Sequence, residues 1–406
     1  MKIENRFLKY VSFDTQSDYH SQTCPSTMKQ MDFGEFLVEE MRILGLKDVK
    51  LDEYGIVTGV IPSNNDHQGD VIGLIGHLDT SPDISGNNIQ PQIIRNYDGH
   101  NIKLHDGKVI SSDKFLELHD VIGHDIITSD GTTLLGGDGK AGITIIMSLA
   151  EYLYKHPEFK HNDIKIAFLS DTEIGNHLDH FYPQFQCDYV YYLNGKNINH
   201  IGVETFNASD IHVHIKGCPI HPGQAKNKLV NASKVAMEFH SMLNRILPPE
   251  LSGGDEGFCY LKSMKGSVSH SDLEYQIRDF DLLKLSDNIE EFEHIQSYLN
   301  NKYHYDIVDL DIKKQYLNIK DIILQKPHII QQVEVAMNEI GLQPERIAIR
   351  GGRYSSLLTF VHMYCVILGT GTFNSHSPYE FVSLTMMKKS VKLLLRLIKN
   401  NVNSHI

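Results

Sequence analysis

The hydrophobic positions of this chain include several short, unbroken runs, each of which ends in polar residues. Val71-Ile72-Gly73-Leu74-Ile75 leads into Gly76-His77-Leu78-Asp79, and Ile164 to Leu169 leads into Ser170-Asp171-Thr172-Glu173. Tyr189 to Leu193 leads into Asn194-Gly195, and Met363 to Leu368 leads into a Gly/Thr stretch that ends at His376. Runs without alternation suit strands covered on both faces, as in an α/β sheet. Helical rhythm separates them: after Gly142, Ile145, Ile146, Leu149, Tyr152 and Leu153 follow the i, i+3, i+4, i+7 pattern. Ligands of open α/β sheets gather beyond the carboxyl ends of the strands, so these polar termini should converge on one crevice.

The stretch 206–313 reads differently. A strand from Asp210 to Lys216 precedes a helix from Lys228 to Ile246, and two strands follow, Gly257 to Lys265 and Ser269 to Asp281. A helix from Leu285 to Tyr303 and a strand from Asp306 to Lys313 complete the order β-α-β-β-α-β, a compact module in its own right. It reads as an insertion into a larger domain made of 1–205 and 314–406. No internal repeat or low-complexity linker interrupts this pattern.

Composition narrows the function classes. The 406 residues are 41% hydrophobic and 22% charged, as expected of a globular protein. Lys+Arg 38 against Asp+Glu 51 gives a net charge of −13, which argues against nucleic-acid binding and against docking on anionic lipid. The N-terminal stretch has no apolar signal core, and no run approaches the roughly 18 apolar residues of a membrane span. A cytoplasmic location is therefore expected. The cysteines at 24, 187, 218, 259 and 365 are scattered and lack metal-knuckle spacing, which suits reduced thiols.

His77 and Asp79, two apart at a strand end, point to one side, and a carboxylate behind an imidazole is a common way to fix a metal-bound histidine. Asp138 sits in the Gly-rich run Leu135-Gly136-Gly137-Asp138-Gly139-Lys140 before a helix, where a capping role would be ordinary. Glu173 and His376 alone would be surface residues. Taken together they lie at strand ends on the same side of one sheet, and carboxylate and imidazole ligands suit Zn, Mn or Co rather than Ca.

Longer motifs carry a resemblance. VSFDTQSD at 11–18, GHLDTSPD at 76–83, SDGTTLLGGDGKAGI at 129–143, HPGQAKNKLVNA at 221–232, IRDFD at 277–281, IRGG at 349–352 and NSHSPYEF at 374–381 occur in one order. The chain resembles, nearly end to end, the peptidase T family of tripeptide aminopeptidases. That family belongs to the co-catalytic zinc peptidases, which also include carboxypeptidase G and aminoacylase. The resemblance implies an α/β catalytic domain with a mixed, mostly parallel sheet flanked by helices, and an inserted α+β lid that pairs in a homodimer. It implies short peptides as substrates, with the N-terminal residue of a tripeptide released. It places His77, Asp138, Glu173 and His376 at metal positions and Asp79 at the orienting carboxylate. It also places His221 at an electrophilic histidine and Arg278 and Arg350 at basic positions for a peptide carboxylate.

The resemblance also marks departures. The family's general base falls on Thr172, a metal-binding aspartate on Asn194, and the acid after the bridging aspartate on Gly139; the family's GGTDG reads Gly351-Gly352-Arg353-Tyr354-Ser355. A threonine hydroxyl cannot take a proton near neutral pH, so the base role is empty unless Asp171 or a water fills it. An amide at 194 is a weak ligand. One bound metal, on Asp138, Glu173 and His376, is expected rather than two. Two functions follow: a tripeptide aminopeptidase with a degenerate site, or a catalytically weak or inactive homologue that binds peptides or a protein partner.

Overall fold

The computed structural model describes residues 1–65, 69–175, 181, 185–243 and 246–403. An eight-stranded mixed sheet runs in the order Lys47–Leu51, Val57–Ile61, Ile164–Leu169, Ile72–His77, Tyr189–Gly195, Tyr364–Gly369, His200–Thr205, Glu345–Ile349. Its four central strands, Ile164–Leu169 to Tyr364–Gly369, are parallel, and antiparallel pairs adjoin them on both sides. The apolar runs of the sequence form those central strands. Ile72–His77 is buried at every position, which explains why it shows no alternation.

The helix Gly137–Lys155 packs on Ile72–His77 and Tyr189–Gly195, and Ile3–Val11 and Leu384–Asn403 pack against it in turn. Close approach to the sheet requires Gly142, because a Cβ there would lie 2.2 Å from the Leu193 carbonyl oxygen. Ile143, Ile145, Ile146 and Leu149 are fully buried, each contributing about 1.5–3 kcal/mol by leaving water. A smaller sheet runs in the order Thr372–Phe373, Phe381–Ser383, Ile126–Ser129, Pro91–Ile94, and its first two strands flank the loop that carries His376.

Contacts divide the chain into two compact units, Met1–Val203 with Asp321–Ile347 and Leu357–Ile406, and Glu204–Lys320 with Ala348–Ser356. The second unit has the β-α-β-β-α-β order. Its antiparallel sheet runs Phe258–Gly266, His270–Asp279, Asn207–Lys216, Val308–Tyr316. Burial alternates along Asn207–Lys216 and His270–Asp279, the sign of a sheet with one covered face. Ile211, Val213, Ile215, Leu273, Tyr275 and Ile277 form a separate core with Phe239 and Phe292 of the helices.

Capping moves two boundaries. The helix expected from Lys228 starts at Ala232, because the Asn231 side chain accepts the Ser233 and Lys234 N–H groups. It ends at Met242, and residues 244–245 of the expected span lie outside the described residues. The helix expected from Leu285 starts at Leu282, where Asp281 accepts from Leu283 and Lys284. The last strand runs on to Tyr316. Among the described residues, no helix is long and apolar enough to cross a membrane.

Candidate metal centre

The parallel strands end together, and their ends carry the polar residues. His77 closes Ile72–His77, Thr172 and Glu173 follow Ile164–Leu169, and Asn194 is the penultimate residue of Tyr189–Gly195. Asp138 comes from the first turn of the helix Gly137–Lys155. His376 stands beyond Phe373 with φ 61, a left-handed backbone that is uncommon for a residue with a Cβ. Among the described residues, the group of three ligand types with donor atoms all within 4.8 Å of one another is His77, Asp138 and Glu173.

His77 Nε2 lies 3.1 Å from Asp138 Oδ1 and 3.2 Å from Asn194 Oδ1, while His77 Nδ1 lies 3.1 Å from the Asp79 carbonyl oxygen and 3.4 Å from its carboxylate. His376 Nε2 lies 3.0 Å from Glu173 Oε2 and 3.5 Å from Asp138 Oδ2, with Nδ1 3.6 Å from Asp83. Each imidazole therefore has an acceptor behind Nδ1 and two oxygens in front of Nε2, an arrangement that calls for a proton or a metal ion between them. The imidazole–oxygen separations of 3.0–3.5 Å lie at or slightly inside the edge of a coordination tetrahedron, about 3.3–3.4 Å for bonds of 2.0–2.1 Å, so an ion would need the donors to move apart by a few tenths of an ångström. The donor set fits a divalent metal.

The electrostatics agree. Burial pushes the Asp138 carboxyl up, but the flanking His376 and His77 hold it well below the usual carboxylate range. Burial opposes protonation of His376, yet Asp138 and Glu173 bring it up to about 11. Glu173 is raised by burial and by the charge of Asp138.

Asp79 is fully buried and saturated with donors. Its carboxylate accepts the Thr172 N–H at 3.0 Å, the Thr172 hydroxyl at 2.8 Å and the Glu173 N–H at 2.8 Å. The Thr172 hydroxyl is therefore a donor to Asp79. The substitute base considered from sequence, Asp171, is also committed. It is fully buried and accepts from Ser26 N at 2.6 Å, Ser26 Oγ at 2.5 Å and Gln30 Nε2 at 2.6 Å.

Gly139 has φ 83, and a Cβ there would lie 2.4 Å from the His77 carbonyl oxygen and 2.7 Å from its ring. The backbone here occupies space that a side chain would need.

His221, Arg278 and Arg350 lie in the second unit. His221 is exposed and opens the turn Pro222–Gln224, its Nδ1 accepting the Gly223 N–H. Arg278 donates through Nη1 to Asp210 at 3.0 Å and to the Ser209 and Ile277 carbonyls, its guanidinium 5.8 Å over the Tyr316 ring. Arg350 donates to the Gly254 and Glu256 carbonyls and to Ser252 Oγ, stacked over Phe206 and Phe258. Both guanidinium groups have local partners.

Sequence reasoning missed Glu380. It is 1% exposed and accepts backbone N–H groups of the Asp138 turn. The only signal was its place in the motif NSHSPYEF.

Residues 203–306 match the peptidase dimerisation domain of the M20 family. The chain is 41% identical over 401 residues to a peptidase T of Caldanaerobacter subterraneus subsp. tengcongensis, covering 98% of each chain. It is 42% identical over 399 residues to a peptidase T of Clostridium perfringens strain 13, again with 98% of each covered. The crystal structure of aminopeptidase PepT from Bacillus cereus shares the fold at a TM-score of 0.73 and 19% identity, over 99% of this chain and 98% of that one. With relatives of this identity aligned along almost its whole length, the chain belongs to the peptidase T family.

Proposed function

We propose that this protein is a metal-dependent aminopeptidase that releases the N-terminal residue of tripeptides, through a site whose proton-transfer step is weakened. The observation that carries the reading is the grouping of His77, Asp138 and Glu173 at the strand ends, with His376 against Glu173 and the second oxygen of Asp138. We assign one zinc-type ion per chain to Asp138, Glu173 and His376, with manganese or cobalt chemically acceptable there. The charges of Asp138 and Glu173 balance one divalent ion, and the neutral amide of Asn194 adds nothing toward a second. Such an ion, when bound, supplies Lewis acidity to a peptide carbonyl and acidifies a water.

The protein's own residues do the rest. Asp79 fixes the His77 ring, and Asp83 faces Nδ1 of His376. Thr172 offers no base, and its hydroxyl donates to Asp79; the lost base should slow turnover by about 10²–10⁴-fold. His221 is proposed as an electrophile toward the scissile carbonyl. Arg278 and Arg350 would take the peptide carboxylate only by exchanging the partners they now hold. The first unit is proposed as the catalytic domain, and the second as the lid through which two copies pair.

A second reading, a peptide- or partner-binding homologue that does not cleave, is favoured by the Thr172–Asp79 bond and by Asn194. Metal analysis combined with an Ala-Ala-Ala hydrolysis assay separates the two. Near one metal per chain with slow, chelator-sensitive release of alanine is the expected result. Bound metal with no cleavage selects the second reading. Two metals per chain, one of them coordinated by Asn194, overturns the single-ion assignment.

A further inference from the structure

The turn that carries Asp138 departs from helical geometry at three neighbouring positions. Gly136 is left-handed at φ 77, Asp138 has ψ 116, and Gly139 has φ 83. N–H groups at such a helix start need partners from elsewhere. Three of them find one side chain. Leu135 N and Gly136 N donate to Glu380 Oε2 at 2.8 and 2.9 Å, and Asp138 N donates to Oε1 at 2.9 Å. Gly137 makes room for this: a Cβ there would lie 3.2 Å from Oε1 and 2.4 Å from Val382 Cγ2.

We propose that Glu380 is the positioning residue of the metal centre, holding the Asp138 turn so that its carboxylate reaches both His77 and His376. The proposal rests on the metal-centre reading above. A carboxylate suits the role because it is acceptor-only and can take several N–H bonds at once. Glutamine would turn an NH2 group toward one set of donors. Aspartate would keep the charge but fall one methylene short.

The test measures zinc affinity of the full chain by chelator competition, together with backbone amide exchange at 135–138. The variants are Glu380→Gln, Glu380→Asp and, as a control, Ser383→Ala. Ser383 is buried near Glu380 and bonds His124 and Met386 N, so its loss lowers stability without touching the Asp138 turn. Glu380→Gln and Glu380→Asp should both weaken zinc binding about 10–100-fold, as loss of an outer-shell partner does, and Ser383→Ala should not. Amide protection at Leu135, Gly136 and Asp138 should fall only in the Glu380 variants. Unchanged affinity in Glu380→Gln overturns the proposal, as does equal weakening by Ser383→Ala. If the wild type binds no zinc, the metal-centre reading fails. Amide exchange then decides: protection lost only at these amides supports the positioning role, and unchanged protection refutes it.

Discussion

At the scale of single residues, Thr172 and Gly139 distinguish this site. Backbone N–H bonds from Thr172 and Glu173 to Asp79 hold position 172 in place whatever its side chain. Thr172→Glu should therefore put a carboxylate near the ligands and raise Ala-Ala-Ala turnover by about 10–100-fold, part of what a general base contributes. Thr172→Glu combined with Asn194→Asp should raise it further. Fast wild-type turnover, unaffected by Thr172→Glu, would show that position 172 is not an empty base. Gly139 behaves in the opposite way. Gly139→Asp places a Cβ against His77 on a left-handed backbone, so it should cost about 1–3 kcal/mol and weaken metal binding. Urea denaturation and zinc titration check both effects. The residue types at 172 and 139 were legible in the sequence. The bond that turns Thr172 toward Asp79, 93 residues away, was not, because spacing along the chain does not encode distance across a sheet.

At the scale of elements, a buried ionic cluster ties three helices together. Arg6 of Ile3–Val11, 2% exposed, donates to Glu40 of Lys29–Ile43 at 2.8 Å and to Glu151 of Gly137–Lys155 at 2.7 Å. Burial would raise the Glu151 carboxyl, but hydrogen bonds from Lys155, the N-terminal amine and Arg6 hold it down at about 2. A carboxyl lowered on folding stabilises the protein above its unfolded value, near 4.5, and that contribution is lost as pH falls toward 2. Glu151→Gln should remove this part of the acid dependence and cost about 3 kcal/mol near neutral pH, because Arg6 loses a partner in a buried site. Chemical denaturation of both proteins between pH 2 and 7 tests this; parallel curves for the two would contradict it. Helical periodicity disclosed the long helix only from Gly142 onward. At its irregular start the Asp138 N–H donates to Glu380, just before the strand Phe381–Ser383, and that start had no periodic signature.

At the scale of the whole molecule, the two units have separate cores. All the proposed metal ligands lie in the first. Zinc at a hundred times its dissociation constant should stabilise that unit by about 2.7 kcal/mol, a rise of roughly 5–10 °C in its thermal transition. The second unit's transition should stay in place. Calorimetry with and without chelator, with exchange mass spectrometry to assign each transition, measures this. Equal shifts in both units would mean that they unfold as one.

Reading along the chain was enough for the α/β sheet, the inserted module, the family and the residues at the strand ends. These depend on local periodicity and on motifs within single segments, and both are properties of neighbouring positions. The partners of those residues came from folding. It turned Thr172 toward Asp79, committed Asp171 to Ser26 and Gln30, and engaged Arg278 with Asp210 and Arg350 with Ser252. It also brought Glu380 under a turn 242 residues away. Hydrogen-bonding groups in a folded interior are satisfied by whichever partner packing brings within about 3 Å, and that partner is set by the fold and not by the spacing of residues along the chain.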